Sequence, residues 1–383
     1  MIPYGKQSIS KDDVDAVIDV LKSDFLTQGP AIEIFEDKVK DYCKSRYASS
    51  FNSATSALHA ACMAIGVGKG DYVWTSAITF VASSNCALYC GANIDFIDID
   101  SNSSNICIDK LEEKLKKSQQ ENTLPKAIIP VHLTGQSCDM KKIKELSDKY
   151  GFSIIEDASH AIGGKYLGDS IGSCKYSDVT IFSFHPVKII TTAEGGIATT
   201  NDKNLFNKLN LFRSHGITRD KNFLLSKNEG PWYYEQLELG YNYRMTDLQA
   251  ALGSSQMNQL ESFVTKRHEL ASRYDSLLKD VNVKTPIQCS YNYSSYHLYV
   301  IRVNSSCHRS IFENFRKKNI LVNLHYIPVY HHPYYQKLGF KNGYCPEAEQ
   351  YYSEAISIPI YPDLKKEEQQ LIVDILISEV GKI

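Results

Sequence analysis

Apolar runs of strand length alternate with periodic segments of helix length from Tyr47 to about Thr200. The pattern predicts strands near 47–51, 72–76, 93–98, 127–131, 152–156, 179–183 and 196–200. It predicts helices near 54–65, 80–90, 109–118, 139–150 and 203–213. Such alternation requires crossover connections, so we expect an α/β fold with a mostly parallel central sheet and helices on both faces. Ligands of such sheets bind beyond the carboxyl ends of the strands.

Two further regions flank this alternating part of the chain. Residues 1–30 are predicted to form an N-terminal arm and an amphipathic helix over 11–21, with Ser10 as its N-cap. Residues 31–253 are assigned to the large α/β domain, and residues 254–383 to a smaller C-terminal α+β domain. In the smaller domain we expect a long helix through about Leu278, strands at 296–303 and 320–324, a helix at 310–318 and a final helix from about Lys365.

Charge is nearly balanced along the chain, with 42 basic and 44 acidic residues and a net charge of -2. This balance gives no electrostatic footprint for nucleic acid or for an anionic membrane. The first residues lack the apolar core of a secretory signal, and no apolar run reaches membrane length. The ten cysteines include no C-x-x-C pair, which favours reduced thiols and argues against zinc. Together these features predict a cytoplasmic protein.

Lys188 is the residue in this pattern that most clearly suggests a chemical role. It follows the apolar run 179–182 and lies in a segment of small and hydroxylated residues that ends at Gly195 and Gly196. Burying an ammonium beside an apolar strand is costly unless the amine is neutralised or bonded. A lysine held there is therefore a candidate amine nucleophile, with a pKa lowered by desolvation, that could form a Schiff base. The alternative is an ordinary surface lysine where the strand leaves the sheet.

Polar and aromatic residues also follow other predicted strands. Asn-Ser-Ala-Thr-Ser at 52–56 leads directly into a helix, where N–H groups and hydroxyls could bind a phosphate; an ordinary Ser/Thr N-cap is the alternative. Asp157 closes an apolar strand and should have a cationic partner there. Phe80 offers an aromatic face after the second strand, and Ser183 ends the sixth. Together these residues describe a pyridoxal 5'-phosphate (PLP) site. They offer donors for a phosphate, an aromatic ring for stacking, a carboxylate for a ring nitrogen and an amine.

Five segments carry a family resemblance: Leu26-Thr-Gln-Gly-Pro30, Asn52-Ser-Ala-Thr-Ser-Ala-Leu58, Thr79-Phe-Val-Ala82, Glu156-Asp-Ala-Ser-His-Ala161 and Ser183-Phe-His-Pro-Val-Lys188. The chain resembles, over essentially its whole length, the DegT/DnrJ/EryC1/StrS family of sugar aminotransferases. That resemblance implies the type I PLP-dependent aminotransferase fold, which is like that of aspartate aminotransferase. Dehydratase relatives carry histidine in place of the lysine, so Lys188 favours transamination.

The resemblance implies a role for each matching residue. Lys188 would be the Schiff-base lysine and Asp157 the partner of the pyridine nitrogen, and both would be catalytic. The other implied cofactor contacts are Ala54, Thr55, Ser56, Phe80 stacking on the ring, His160 near the ring oxygen, Ser183 and, from the neighbouring subunit, Asn242. The implied substrate contacts are Tyr4, Phe25, Leu26, Thr27, His325, Tyr326, Ile327 and Pro328. The histidines at 325, 331 and 332 lack a carboxylate at ligand spacing, so no metal is expected.

The segment Gly-Pro-Trp-Tyr-Tyr-Glu at 230–235 resembles a segment found in one branch of the family. That branch makes the 4-amino sugar of the pseudaminic acid pathway. Hairpin packing or a dimer contact would also explain its aromatic residues. The resemblance implies a homodimer with shared active sites that transfers the amino group of L-glutamate to C4 of a UDP-linked 4-keto-6-deoxy-N-acetylhexosamine. The alternatives are a bacillosamine- or aminoarabinose-type aminotransferase and a non-catalytic sensor of the same fold.

Overall fold

The structure is a computed structural model that describes residues 1–226 and 230–380. Its helices, in chain order, are α1 (Lys11–Leu21), α2 (Pro30–Cys43), α3 (Ala54–Ile65), α4 (Ala82–Tyr89), α5 (Ile108–Glu121), α6 (Met140–Tyr150), α7 (Lys203–Arg213), α8 (Asp247–Met257), α9 (Leu260–Leu277), α10 (Ser305–Lys317), α11 (Pro333–Gln336), α12 (Pro346–Glu354) and α13 (Lys366–Val380). Short 3-10 turns lie at Leu133–Gly135 and Val329–His331. Within the described ranges, no helix is long and apolar enough to cross a membrane.

The strands are β1 (Ile2–Pro3), β2 (Tyr47–Phe51), β3 (Tyr72–Ser76), β4 (Asn93–Ile97), β5 (Ala127–Ile129), β6 (Ser153–Asp157), β7 (Lys165–Tyr166), β8 (Asp169–Ser170), β9 (Val179–Ser183), β10 (Gly196–Thr200), β11 (Ile217–Thr218), β12 (Glu235–Gln236), β13 (Asn292–Tyr293), β14 (Tyr299–Arg302), β15 (Ile320–Leu321) and β16 (Ala355–Ile358). Each strand and helix predicted between 47 and 213 is present. Within this range the largest boundary shift is at α5, which ends at Glu121 rather than at 118.

A seven-stranded sheet with the order β2-β10-β9-β6-β5-β3-β4 forms the centre of the fold. Strand β10 runs antiparallel to both of its neighbours, and the remaining strands run parallel to one another. The predicted mostly parallel α/β sheet is therefore confirmed. The carboxyl ends of β2, β3, β6 and β9 meet at one edge of the sheet, so the segments that follow these strands lie together.

Both faces of the sheet are covered by helices, as the continuous apolar character of its strands requires. Successive side chains of a strand point to opposite faces. Ile128 and Ile154 accordingly pack in the core formed with α5 and α6. Their neighbours Ile129 and Ile155 pack in the core formed with α3 and α4. The sheet edge that carries the strand ends is thereby held between two packed layers.

The C-terminal part of the chain has a core of its own, built from α9, α10, α13, β14 and β16. Strand β1 pairs in parallel with β15 and buries Ile2 in this core, which fixes the N-terminal arm. The division of the chain at residues 30 and 253 stays a prediction. The ten cysteines are free thiols.

The predicted long helix through Leu278 is wrong in one respect, because the chain forms two helices that are separated at Asn258 and Gln259. The two helices share part of one core and differ in their remaining contacts. Helix α8 contacts α1 and α2, and its buried Gln256 donates a hydrogen bond to Asp13 Oδ2 at 2.6 Å. Helix α9 begins in the core that α2 and α8 share, with Leu260, Phe263 and Val264, and its later residues enter the C-terminal core. The predicted single helix is therefore two helices, and the second leads from one core to the other.

Candidate active site

A cavity of about 740 Å³ lies at the carboxyl edge of the central sheet. Its volume is within the range of about 300–1,000 Å³ that is typical of small-molecule sites. The wall contains eleven residues that the sequence analysis assigned to a site: Tyr4, Ala54, Thr55, Phe80, Asp157, His160, Ser183, Lys188, His325, Tyr326 and Ile327. Segments separated by more than 300 residues in the sequence thus contribute to one concave surface.

Lys188 lies just beyond β9, where its backbone N–H donates a hydrogen bond to His185 O at 2.9 Å. In the described part of the chain, its Nζ makes no hydrogen bond and no ion pair. Burial lowers the pKa of the Lys188 amine to about 8, while the negative charge of Asp157 opposes this shift. A substantial fraction of the amine is therefore neutral and nucleophilic near pH 8.

The carboxylate of Asp157 ends β6 and is buried in the cavity wall. Its Oδ1 accepts a hydrogen bond from the Ser159 N–H at 3.1 Å, and its Oδ2 accepts one from Ser83 Oγ at 2.6 Å. The Ser83 hydroxyl is also bonded to Thr79 Oγ1 at 2.7 Å. Among the described residues no ion pair reaches Asp157, and Lys188 interacts with it only electrostatically at longer range. The expected cationic partner is thus near the carboxylate but not bonded to it.

His160 is a neutral imidazole held by one bond at each ring nitrogen. Its Nδ1 accepts from the Thr134 N–H at 3.3 Å, which leaves the proton on Nε2, 3.1 Å from the hydroxyl of Tyr326. Burial lowers the pKa of His160 well below its usual range, and the nearby Lys188 and His325 add to the shift. The imidazole can therefore offer only neutral contacts to a ligand.

The first turn of α3 forms another part of the wall. Ser53 caps this helix by accepting from the Ser56 N–H at 3.1 Å. Gly196 of β10 packs directly against the turn, because an added Cβ there would lie 2.4 Å from the Ala54 nitrogen. The helix N-terminus can therefore approach the sheet edge beside Ser183, and backbone N–H groups in such a position bind anions well.

Some residues predicted for the site lie outside the cavity wall of their own chain: Ser56, Phe25, Leu26, Thr27, Pro328 and Asn242. The hydroxyl of Ser56 donates instead to Asn52 Oδ1 at 2.7 Å. The side chains of Phe25 and Leu26 are 53% and 47% exposed. Asn242 is exposed and pairs through its backbone with Ser214. The cavity wall of this chain is therefore formed without these six residues.

Several wall residues and their partners were not predicted: Thr79, Ser83, Ser159, Glu194, His297, Asn323 and His332. His297 is buried, its ring centroid lies 4.4 Å from that of His160, and its Nδ1 has no hydrogen-bond partner within the described residues. Burial lowers the pKa of His297 well below its usual range. A histidine within the predicted strand 296–303 was a usable signal, because burying a polar side chain costs free energy unless a bonding partner compensates it.

The histidine side chains of the segment 325–332 bond to different parts of the structure. His325 Nδ1 lies 2.8 Å from Ser357 Oγ, whereas His331 Nε2 lies 3.1 Å from a carboxylate oxygen of Glu349. Across the described ranges, no group of three or more His, Cys, Asp or Glu side chains is arranged to hold a metal ion. These contacts give the histidines separate structural surroundings.

The sequence model of the DegT/DnrJ/EryC1/StrS aminotransferase family matches residues 7–377. This range includes the whole cavity wall except Tyr4. The chain belongs to the DegT/DnrJ/EryC1/StrS aminotransferase family. The predicted family and the predicted class of enzyme, an aminotransferase, are therefore confirmed.

Named members of the DegT/DnrJ/EryC1/StrS family are similar over full length. The chain is 38% identical over 387 residues to the UDP-4-amino-4,6-dideoxy-N-acetyl-beta-L-altrosamine transaminase of Campylobacter jejuni subsp. jejuni serotype O:23/36 (strain 81-176), with 100% of this chain and 98% of the relative covered. Helicobacter pylori PseC, an aminotransferase involved in the biosynthesis of pseudoaminic acid, has a similar structure with a TM-score of 0.92, 32% identity and full coverage of both chains.

The PLP-form of a putative sugar aminotransferase, Spr1654 from Streptococcus pneumoniae, is similar with a TM-score of 0.89 and 28% identity, covering 100% of this chain and 99% of that one. The chain thus has the fold of these solved aminotransferases, and its own central sheet is mostly parallel, so the predicted fold class is confirmed.

We predict that labelling of Lys188 in this family member rises with pH around a midpoint of about 8. An amine reacts when neutral, and at about pH 7.5 the neutral fraction of Lys188 should be roughly two hundred times that of an ordinary lysine. Brief acylation of cofactor-free protein, followed by peptide mapping across pH, measures this midpoint. Lys110, whose pKa is raised by its bond to Glu113, is the internal reference.

The direction in which Asp157 shifts the pKa of Lys188 provides the control for this measurement. The carboxylate raises the pKa of Lys188, so Asp157→Asn should move the labelling midpoint below that of the wild-type protein. A wild-type midpoint near that of Lys110 would contradict the lowered pKa. A midpoint in Asp157→Asn that rises instead would contradict the electrostatic contact between the two side chains.

Proposed function

We propose that the chain is a PLP-dependent aminotransferase that transfers the amino group of L-glutamate to C4 of a UDP-linked 4-keto-6-deoxy-N-acetylhexosamine. The proposed acceptor is UDP-2-acetamido-2,6-dideoxy-beta-L-arabino-hex-4-ulose, and the product is UDP-4-amino-4,6-dideoxy-N-acetyl-beta-L-altrosamine for pseudaminic acid biosynthesis. One observation carries the proposal. The Lys188 amine and the Asp157 carboxylate face one cavity in a chain 38% identical, over full length, to a transaminase named for that product.

The cavity wall fits the chemical groups of PLP. A phosphate needs backbone and hydroxyl donors, and the α3 N-terminus supplies them beside Ser183. A protonated ring nitrogen needs a buried acceptor. A carboxylate has about four lone-pair sites, and Asp157 uses two of them for Ser83 and Ser159. An aldehyde needs an amine that is neutral near physiological pH, as the Lys188 amine is in part. All three requirements are met on one surface.

We assign the residues that would hold the cofactor from these contacts. Ala54, Thr55 and Ser183 would contact the phosphate, whereas the hydroxyl of Ser56 is already bonded to Asn52. Phe80 would cover one face of the ring, since its side chain lies at the cavity with more than half of its surface exposed. Asp157, His160 and Lys188 would contact the ring nitrogen, the ring oxygen and the aldehyde carbon respectively.

When bound, PLP supplies an electron sink that stabilises negative charge on the carbon bearing the transferred amino group. Lys188 Nζ would take up a proton from that carbon and return a proton later, because an amine with a pKa near 8 can act both as base and as acid. The Asp157 carboxylate would hold a proton at the ring nitrogen by its negative charge. His160 and His325 are neutral and therefore place no positive charge in competition with that proton.

Asp157→Asn should slow the reaction of the loaded protein with L-glutamate on the order of 10²–10³-fold, the size of the loss of one preorganised electrostatic contact. The asparagine keeps the shape of the side chain but lacks the charge, so cofactor content should fall much less. Rapid mixing with glutamate while the visible absorbance is followed measures the rate. Asp169→Asn, which removes an exposed carboxylate paired with Lys175, is the control and should react at the wild-type rate. Unfolding of Asp157→Asn without a selective rate defect would instead indicate a structural carboxylate.

The proposed sugar is tested by product analysis. Purified protein, ¹⁵N-labelled L-glutamate and the L-arabino keto sugar should give a UDP-sugar with ¹⁵N at C4, detectable by mass and by nuclear magnetic resonance. The D-xylo keto sugar is the comparison substrate. Faster turnover of the D-xylo sugar would assign the chain to a bacillosamine-type reaction. An absence of amino sugar with either acceptor would contradict the proposal.

We further propose that the protein acts as a homodimer in which each active site receives Asn242 from the other subunit. Asn242 is exposed and lies outside its own cavity wall. Large apolar side chains are exposed on α1 and the loop after it: Val14, Ile18, Leu21, Phe25 and Leu26. Clustered exposed apolar side chains mark protein interfaces. A second copy packed on this surface would cover them and could bring the substrate contacts predicted at 25–27 to a cavity.

A further inference from the structure

A chain of buried hydroxyl groups leads to Asp157 from the segment that follows β3. Thr79, Ser83 and Asp157 are 2%, 0% and 5% exposed. Thr79 Oγ1 lies 2.7 Å from Ser83 Oγ, and Ser83 Oγ lies 2.6 Å from Asp157 Oδ2. The two bonded side chains of Ser83 and Asp157 are 74 residues apart in the sequence. The contact therefore joins the first turn of α4 to the end of β6.

The direction of these hydrogen bonds follows from the number of protons. A carboxylate can only accept, so the single hydroxyl proton of Ser83 points to Asp157. The carbonyl oxygen of Phe80 is a weaker competitor, because it lies 3.3 Å from Ser83 Oγ and carries no full charge. Ser83 Oγ must then accept the proton of Thr79. The proton order is thus Thr79 to Ser83 to Asp157.

The same segment also carries Phe80, which lines the cavity. Ser83 lies in the first turn of α4, only three residues after Phe80. The opposite oxygen of Asp157 is held by the Ser159 N–H from its own loop at 3.1 Å. The carboxylate is consequently fixed from two sides, by the loop after β6 and by the segment that presents the aromatic ring.

We propose that Ser83, oriented by Thr79, is a positioning residue that holds the Asp157 carboxylate in the orientation that meets the ring nitrogen of PLP. The inference rests on the proposed function. Ser83 does not line the cavity, so it would act through Asp157. Removing its hydroxyl leaves the buried carboxylate with one donor, the Ser159 N–H, so the side chain is free to rotate away from its position.

The test compares neighbouring serines in the PLP-loaded protein. Ser83→Ala should slow the reaction with L-glutamate by about tenfold to a hundredfold, as expected for the loss of a hydrogen bond to a charged group. Cofactor content and melting temperature should stay close to those of the wild type, and Ser83→Thr, which keeps a hydroxyl, should recover most of the rate. Ser84→Ala is the matched control, because Ser84 is equally buried but bonds to Tyr335 at 2.6 Å. It should react at the wild-type rate.

A double variant separates a positioning role from a general structural one. If Ser83 acts through Asp157, then Ser83→Ala should cause no further slowing when it is added to Asp157→Asn. If the two substitutions slow the reaction independently, so that the factors by which they lower the rate multiply, the inference is overturned. Equal rates for Ser83→Ala and Ser84→Ala would also overturn it. Should Ser83→Ala fail to fold, Thr79→Val carries the test. It removes the donor to Ser83 and should slow the reaction severalfold, and an unchanged rate would contradict the proposed chain of hydroxyls.

The wild-type protein distinguishes this inference from the function on which it rests. A wild-type protein that takes up no PLP, or that does not react with glutamate, would overturn the proposed function and this inference with it. A reactive wild-type protein with an equally reactive Ser83→Ala variant would overturn the inference alone.

Discussion

Lys188→Ala should abolish steady-state transamination, with a loss of at least about a thousandfold, because it removes both the amine nucleophile and the group that moves the proton. The residue carries the neutral amine of the cavity, with its pKa lowered to about 8 by burial. No other lysine lines the cavity in the described part of the chain, so none can replace it. The measurement is amino-sugar formation from glutamate under saturating conditions.

The wild-type protein supplies an independent readout of the same residue. Loaded with PLP, it should be yellow, lose that absorbance on treatment with borohydride, and carry the reduced label on the peptide that contains Lys188. Lys175→Ala removes an exposed lysine paired with Asp169 and is the matched control, with activity and label retained. Normal turnover in Lys188→Ala, or a label on another peptide, would refute the role of Lys188.

The central sheet could be predicted from the sequence because its strands are buried on both faces. Strands β2, β3, β9 and β10 were predicted with the same bounds that the structure has. All five residues of β9 and of β10 are buried, so their apolar and small residues form compact runs without competing periodicity. Short, wholly buried strands between amphipathic helices leave few alternative arrangements.

The C-terminal part was predicted less well, because its elements depend on contacts that are distant in sequence. Helix α12 and strand β16 were not predicted, although β16 pairs along its whole length with β14. These two strands are separated by more than 50 residues, and the sequence of β16 is only four residues long. The break between α8 and α9 comes two residues after Gln256, whose side chain bonds to Asp13 of α1, a residue that is also distant in sequence. The spacing of apolar residues along the sequence does not indicate partners that are distant in sequence.

The residues of the candidate site also differ in how well the sequence predicts them. Lys188 and Asp157 could be predicted because both are charged residues at the ends of apolar strands, where their chemistry is out of place. Ser83 could not, because a serine in the first turn of a helix is ordinary and its partner Asp157 is distant in sequence. His160 was assigned only through the family resemblance. Its neutral state depends on burial and on the nearby Lys188 and His325, and the sequence shows none of these contacts.

Mixing two inactive variants should restore activity if the proposed sharing of active sites is correct. The first parent is Lys188→Ala, and the second is Asn242→Trp, which places a bulky side chain where a short amide is proposed to enter the partner's cavity. In a dimer with two-fold symmetry, a mixed pair then has one site with both lesions and one site with neither. Activity should return to about half of the wild-type value per mixed dimer, from parents that are each inactive.

The control pair is Lys188→Ala with Asp157→Asn, whose lesions lie in the cavity wall of the same chain. Every site of that mixed dimer carries one lesion, so no activity beyond that of the parents should return. Subunit exchange must be verified by mass in both mixtures, because dimers of this kind often lack a stable folded monomer and exchange slowly. Recovery in the first mixture but not in the second identifies a site built from two chains. Verified exchange without recovery in either mixture would show that Asn242 acts within its own chain or not at all, and the exposed position of Asn242 would then need another explanation.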